Sequence, residues 1–232
     1  MKTLLTQLKW QFILLQKNKI ISISLVLTFI YGALFYFMKD ATNIDKALNF
    51  MILNDPSIIG YFFIALAVYT EIKHQILPAI FTSPVKLHHY IISKTIALST
   101  VGLVCSLILA FFVKGLDFNI LNFSIGAMSI CVLTSLLALS VLTFASDFLK
   151  FSMLSIPIFL VFMIIPLLQY LGVLKIGFVI NLFPVQSSIN LLDHGVSGTE
   201  VNLPLSYLSI TAWITTLYLI AYKLFSKKIV HQ

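Results

Sequence analysis

Long apolar runs alternate along this chain with short polar stretches that carry lysine. A helix needs about 20 mostly apolar residues to cross a hydrocarbon layer roughly 30 Å thick. Six runs meet or approach that length: 20–38, 56–72, 95–113, 120–144, 151–171 and 204–222. The second is short and gains length if its helix continues from Ile72 toward Leu77. Ahead of them, residues 2–17 read as an amphipathic helix with Leu4, Leu5, Leu8, Phe12 and Leu15 on one face. Lys2, Thr6, Lys9, Gln16 and Lys17 occupy the other face, where Trp10, Ile13 and Leu14 intrude, as in a helix lying in the membrane interface. The expected fold is an all-α membrane protein: one transmembrane domain over residues 1–232, with six spans and an interfacial helix at 1–19.

The stretch from Asn54 to Lys94 is the most articulated part of the pattern. An apolar run ends abruptly at Glu71, a polar passage follows, and the next apolar run starts just after Lys94. Pro78 lacks a backbone donor and clashes in a helix interior, so it breaks or restarts a helix. Thr82, Ser83 and Pro84 supply a second break, with Ser as cap and Pro at the first helical position. A short helix at 78–81 is therefore predicted at the water boundary between spans two and three. Between spans one and two, the apolar patch 47–53 is expected to rest on the outer surface. Residues 114–119 read as a tight turn. The segment 172–203 is interrupted by Gly172, Gly177, Pro184 and Gly195 and is too broken to span. Irregular backbone at membrane depth must be buried in protein or face a wet cavity. A re-entrant outer hairpin and a surface-lying loop both satisfy this pattern.

Composition settles the class. Hydrophobic residues make up 59% of the 232 and charged residues 10%, against about 25% charged in a soluble domain. The formal charge is +7 and all the basic residues are Lys, so the bidentate donor favoured for phosphate and nucleic acid is missing. The charge instead orients the chain. With the N-terminus inside, Lys2, 9, 17, 19, 73, 86, 94, 150, 223, 227 and 228 fall on the inner side and Lys39, 46, 114 and 175 on the outer. The reading is a multi-pass protein of a bacterial plasma membrane with both termini cytoplasmic, embedded in lipid and free of nucleic acid. The N-terminus shows no signal-peptide pattern, and Cys105 and Cys131 lie inside apolar runs as small buried hydrophobes.

Candidate chemistry is sparse. Apart from Glu71 at the inner end of the second, no acid or lysine falls within the six runs, which argues against a proton- or sodium-driven carrier. No phosphate-cradling glycine loop is present either, so energy for any work has to come from another chain. Glu71, His74, His88 and His89 form one ionisable cluster suited to an intramembrane hydrolase or a metal site. The H-E-x-x-H spacing is lacking, and adjacent histidines on a helix point about 100° apart. Solvated loop residues, and no bound metal, are the expectation. His194, beside Asp193, is expected to be solvated in an outer loop. Gln169, Tyr170 and Gln186 are candidates to line a substrate path.

A span ending in Glu71, followed by Gln75-Ile-Leu77-Pro78-Ala79-Ile80-Phe81-Thr82-Ser83-Pro84-Val85 and by Tyr90-Ile-Ile-Ser-Lys94, resembles the ABC-2 type permeases. Asp55-Pro56-Ser57, Thr82-Ser83-Pro84 and Leu182-Phe-Pro-Val-Gln186-Ser187 narrow the resemblance to the small permeases of fluoroquinolone export. The resemblance covers the whole chain in length and span count, and as motif it is best over 54–94. It implies that 71–85 form a coupling helix docking on a separate ABC ATPase subunit, which would hold the ATP and Mg; this chain would carry no cofactor. It also implies a second permease subunit, identical or paralogous, and alternating access without chemistry on the substrate. Gln75 stands where the family often has Gly, and Pro78 where it often has an acidic residue. A heme- or lipid-exporting relative is the alternative within transport; a membrane scaffold is the alternative outside it.

Overall fold

A computed structural model describes residues 2–37, 44–74, 76–77, 80 and 86–227, and every regular element among them is helical. Helix α1 (Lys2–Lys17) leads into span one, α2 (Ile20–Phe37). Span two runs from Ile44 to Lys73 as α3 (Ile44–Ile58), a π turn (Ile59–Phe63) and α4 (Ile64–Lys73). Span three is α5 (Leu87–Lys114) and span four is α6 (Ile120–Leu142). Span five comprises α7 (Phe148–Phe159), a second π turn (Leu160–Ile164) and α8 (Ile165–Tyr170). A 3-10 turn (Gly177–Leu182) and α9 (Gln186–Ser197) precede span six, α10 (Leu203–Phe225). Six helices are thus long and apolar enough to cross a membrane. Their even number returns the chain to the end where α1 lies, here called basal; the other end is distal.

Span four is the axis of the bundle. In its most apolar window 78% of residues are buried, against 17% in span six, so the remaining spans assemble around α6 and leave α10 largely uncovered. Two apolar clusters stack along it. The basal one gathers Ile64, Val68, Tyr90, Leu98 and Phe151; the distal one gathers Leu48, Ile52, Phe123, Ile130 and Leu192. Close approach requires small residues, as is common between membrane helices. A Cβ on Gly60 would stand 2.5 Å from the Cys131 carbonyl oxygen, and one on Gly195 would stand 2.8 Å from the Phe123 nitrogen. The π turn at Gly60 disturbs the helical ladder, and the Ser135 hydroxyl donates to the Gly60 carbonyl at 3.0 Å, restoring a partner.

Several expectations change. The patch 47–53 does not lie on a surface: it is part of span two, with Leu48, Ile52 and Leu53 buried. The polar residues that suggested a boundary are absorbed by their own helix. Asn54 donates to the Phe50 carbonyl at 2.8 Å, Ser57 donates to the Leu53 carbonyl, and Pro56 is buried within the helix. Asp55 therefore lies inside a span, contrary to the reading that no acid but Glu71 does. Span three likewise starts at Leu87, eight residues before the expected 95, and takes Lys94 into the helix. Helix α1 has the expected length but a rotated buried face. Gln11 and Leu15 are buried, with Leu8 and Phe12 packed on the basal cluster, whereas Leu5 is exposed. The segment after span five forms a 3-10 turn and one short helix, and is not a span. Helix α9 packs on α6 through Gly126 and Gly195, and Ser129 donates to Ser188 at 2.8 Å.

Candidate functional site

Three residues at the basal ends of spans two and three form a closed unit. Glu71 sits in the last turns of α4; Tyr90 and Lys94 lie four residues apart near the start of α5, so they share one helix face. Lys94 Nζ is 2.7 Å from Glu71 Oε1, and the Tyr90 hydroxyl donates to Oε2 at 2.6 Å. The ammonium also lies 5.0 Å from the centre of the Tyr90 ring, within the range of a cation–π contact. All three residues are at most 3% exposed. A buried charge is tolerated only when paired and hydrogen-bonded, and here each carboxylate oxygen has its own donor. The consequence is mechanical. The two spans are joined just where the chain leaves one and re-enters the other.

Of the residues expected to couple to a partner, Glu71 is the buried acid just described. Leu77 is buried in the basal cluster and Ile80 packs against it, while Ile76, Leu77 and Ile80 are all helical. Gln75, Pro78, Ala79, Phe81, Thr82, Ser83, Pro84 and Val85 lie outside the described residues. The four-residue ionisable cluster is not assembled. Glu71 is occupied by Lys94 and Tyr90, His74 is exposed, and His88 bonds through Nδ1 to the Tyr218 hydroxyl of span six. His89 stacks at 5.8 Å from His88. Among the described residues no group of three His, Cys, Asp or Glu could hold a metal ion.

The distal end carries a second polar knot. Asp193 on α9 accepts from Asn49 of α3 at 3.0 Å and from the Tyr170 hydroxyl at 2.8 Å. Asn49 lies 2.8 Å from the same hydroxyl, and Thr199 donates to the other carboxylate oxygen at 2.9 Å. Asp193 is therefore a joint between spans two and five and α9. His194 pairs with the Thr199 carbonyl at 2.7 Å. Of the proposed path residues, only Tyr170 belongs to this knot. Gln169 accepts from the Ile176 backbone N–H at 2.8 Å, and buried Gln186 donates to Asn190 at 2.9 Å while its own Oε1 has no partner. Gln169 and Gln186 thus make local bonds, apart from Tyr170. At the distal rim Lys114 lies 2.9 Å from Asp45, half-exposed.

Two ionisable residues inside spans are not legible as such in the sequence. In sequence Lys94 reads as an inner-side residue just ahead of span three; the signal that places it in the helix is the four-residue spacing from Tyr90 opposite a span ending in Glu71. Asp55 precedes the apolar run that begins at 56. Finally, the model of the fluoroquinolones export permease protein family matches residues 2–232, nearly the whole chain. No curated protein matches it.

Proposed function

Because the chain belongs to the fluoroquinolones export permease protein family, we propose that it is the membrane-spanning subunit of an ATP-driven exporter. It moves a hydrophobic or amphiphilic small molecule, drugs included, outward across a bacterial plasma membrane. The observation that carries this reading is the Glu71–Tyr90–Lys94 unit. A force applied to 74–86 reaches two spans at once, because their ends are tied by a buried pair and not left to slide. That is what a subunit without a nucleotide site of its own needs from a partner that hydrolyses ATP.

In this mechanism the partner dimer binds ATP and Mg and closes, the basal segments follow, and two permease units tilt about a shared interface. Lys9, Lys17, Lys73, Lys86, Lys150 and Lys223 all belong to the basal end, which supports a cytoplasmic placement of that end. Spans one, five and six leave broad apolar faces, which suit lipid and a second permease, identical or paralogous. Helix α9, packed on α6, supports a segment that dips back among the spans from the outer side. The direct test is co-purification in mild detergent with the nucleotide-binding subunit encoded beside the gene. Phe81→Asp and Val85→Asp are expected to abolish that association while folded permease stays in the membrane. Association surviving both changes would move the coupling surface elsewhere.

A further inference from the structure

Asp55 is the acid that the bundle encloses without matching. The Asp45–Lys114 pair marks the distal rim and Glu71–Lys94 lies toward the basal one. Asp55 follows Asp45 by ten residues on the same helix, which places it about 15 Å deeper at 1.5 Å per residue. In a hydrocarbon layer roughly 30 Å thick, that is near the midplane. The side chain is half-buried and makes no hydrogen bond or ion pair with any described residue. The two lysines of span three that face span two, Lys94 and Lys114, are already taken by Glu71 and Asp45. Its electrostatic neighbours are Tyr31 on span one and Cys105 on span three, neither of them a cation. An ionisable residue at this depth faces protein or a water-filled route, not acyl chains, and calls for a countercharge.

We propose that Asp55 receives the positively charged group of an amphiphilic substrate as it passes between spans one, two and three. The substrate class is thereby narrowed to amphiphiles that carry a cation. This rests on the export reading but does not depend on the source of energy, so it is tested on the permease alone. Equilibrium dialysis of purified protein with tetraphenylphosphonium is compared with tetraphenylborate, an ion of the same shape and opposite sign. The phosphonium is expected to bind preferentially, Asp55→Asn to weaken it about tenfold, and Asp55→Glu to retain it, a loss that corresponds to one countercharge. Thermal unfolding of each variant verifies that the fold is intact. Equal affinity in Asp55→Asn, or equal binding of the two ions, would overturn the assignment. Phosphonium binding through Asp55 in a protein that recruits no ATPase would leave the cation site standing and remove the energy source proposed above.

Discussion

Replacing Lys94 by Met tests the basal unit most severely. The ammonium and the Glu71 carboxylate are 2.7 Å apart with side chains 1% and 4% exposed. At an effective dielectric of about 20 their gross attraction is about 6 kcal/mol. Desolvating each ion costs several kcal/mol, so the intact pair contributes little net stability. Removing one member changes the balance, because the other charge stays buried without its partner, at a cost of about 3–5 kcal/mol. Lys94→Met is therefore expected to lower the apparent Tm on the order of 10 °C for a chain of this size. Glu71→Gln alone should do the same by stranding the ammonium. The double variant should recover most of the loss, since no charge remains buried. The protein carries its own reporter: Cys105 and Cys131 are free and buried, so a thiol-reactive fluorophore labels them only on unfolding. A midpoint for Lys94→Met within about 2 °C of the parent, or a double variant no better than the singles, would refute the reasoning.

Gly60→Ala is expected to destabilise by about 1–3 kcal/mol, because the new methyl meets the Cys131 carbonyl, while Gly32→Ala meets only the Phe112 ring at 3.6 Å and should be tolerated; the same thiol assay separates them. Asp193→Ala removes the acceptor shared by Asn49, Tyr170 and Thr199 and should cost about 1.5–3 kcal/mol, read as faster amide exchange across Gln186–Ser197. Asp147 caps α7, and the Lys150 backbone N–H and then the Ser146 hydroxyl hold its carboxyl below the ordinary range. A depressed folded pKa gives stability that is present above the unfolded value and lost as pH falls through the folded one. The protection of the Lys150 amide, its exchange taken relative to the intrinsic rate at each pH, should therefore fall on acidification below about pH 4 in the parent and stay level in Asp147→Asn; identical profiles would refute the cap.

The six spans were legible because each apolar run is long enough to cross, and length alone decides that. Local polarity misled where side chains satisfy themselves. Asn54, Asp55 and Pro56 look like a boundary, but Asn54 and Ser57 return their donors to carbonyls one turn back, so the helix continues through them. Span three was trimmed at 95 for the opposite reason: Lys94 is polar in sequence and neutralised only in space, by a residue 23 positions away. The distal knot was invisible for the same cause, since Asn49 and Asp193 are 144 residues apart. The first helix has the extent its pattern implies, Lys2–Lys17. Its buried stripe was misjudged because Gln11 turns inward and Leu5 outward, a choice made by packing against the spans.

The wide turn at Ile59–Phe63 has a bearing on phase. It holds one residue more than a regular helix would need, and each residue turns a helix by about 100°. Everything from Ile64 onward is thereby dialled to a new azimuth, including Glu71 two turns farther on. Excising a single residue there would leave the span long enough to cross, yet swing that carboxylate away from Lys94. The extra residue acts as an angular spacer, trading a flaw in one helix for alignment at its far end.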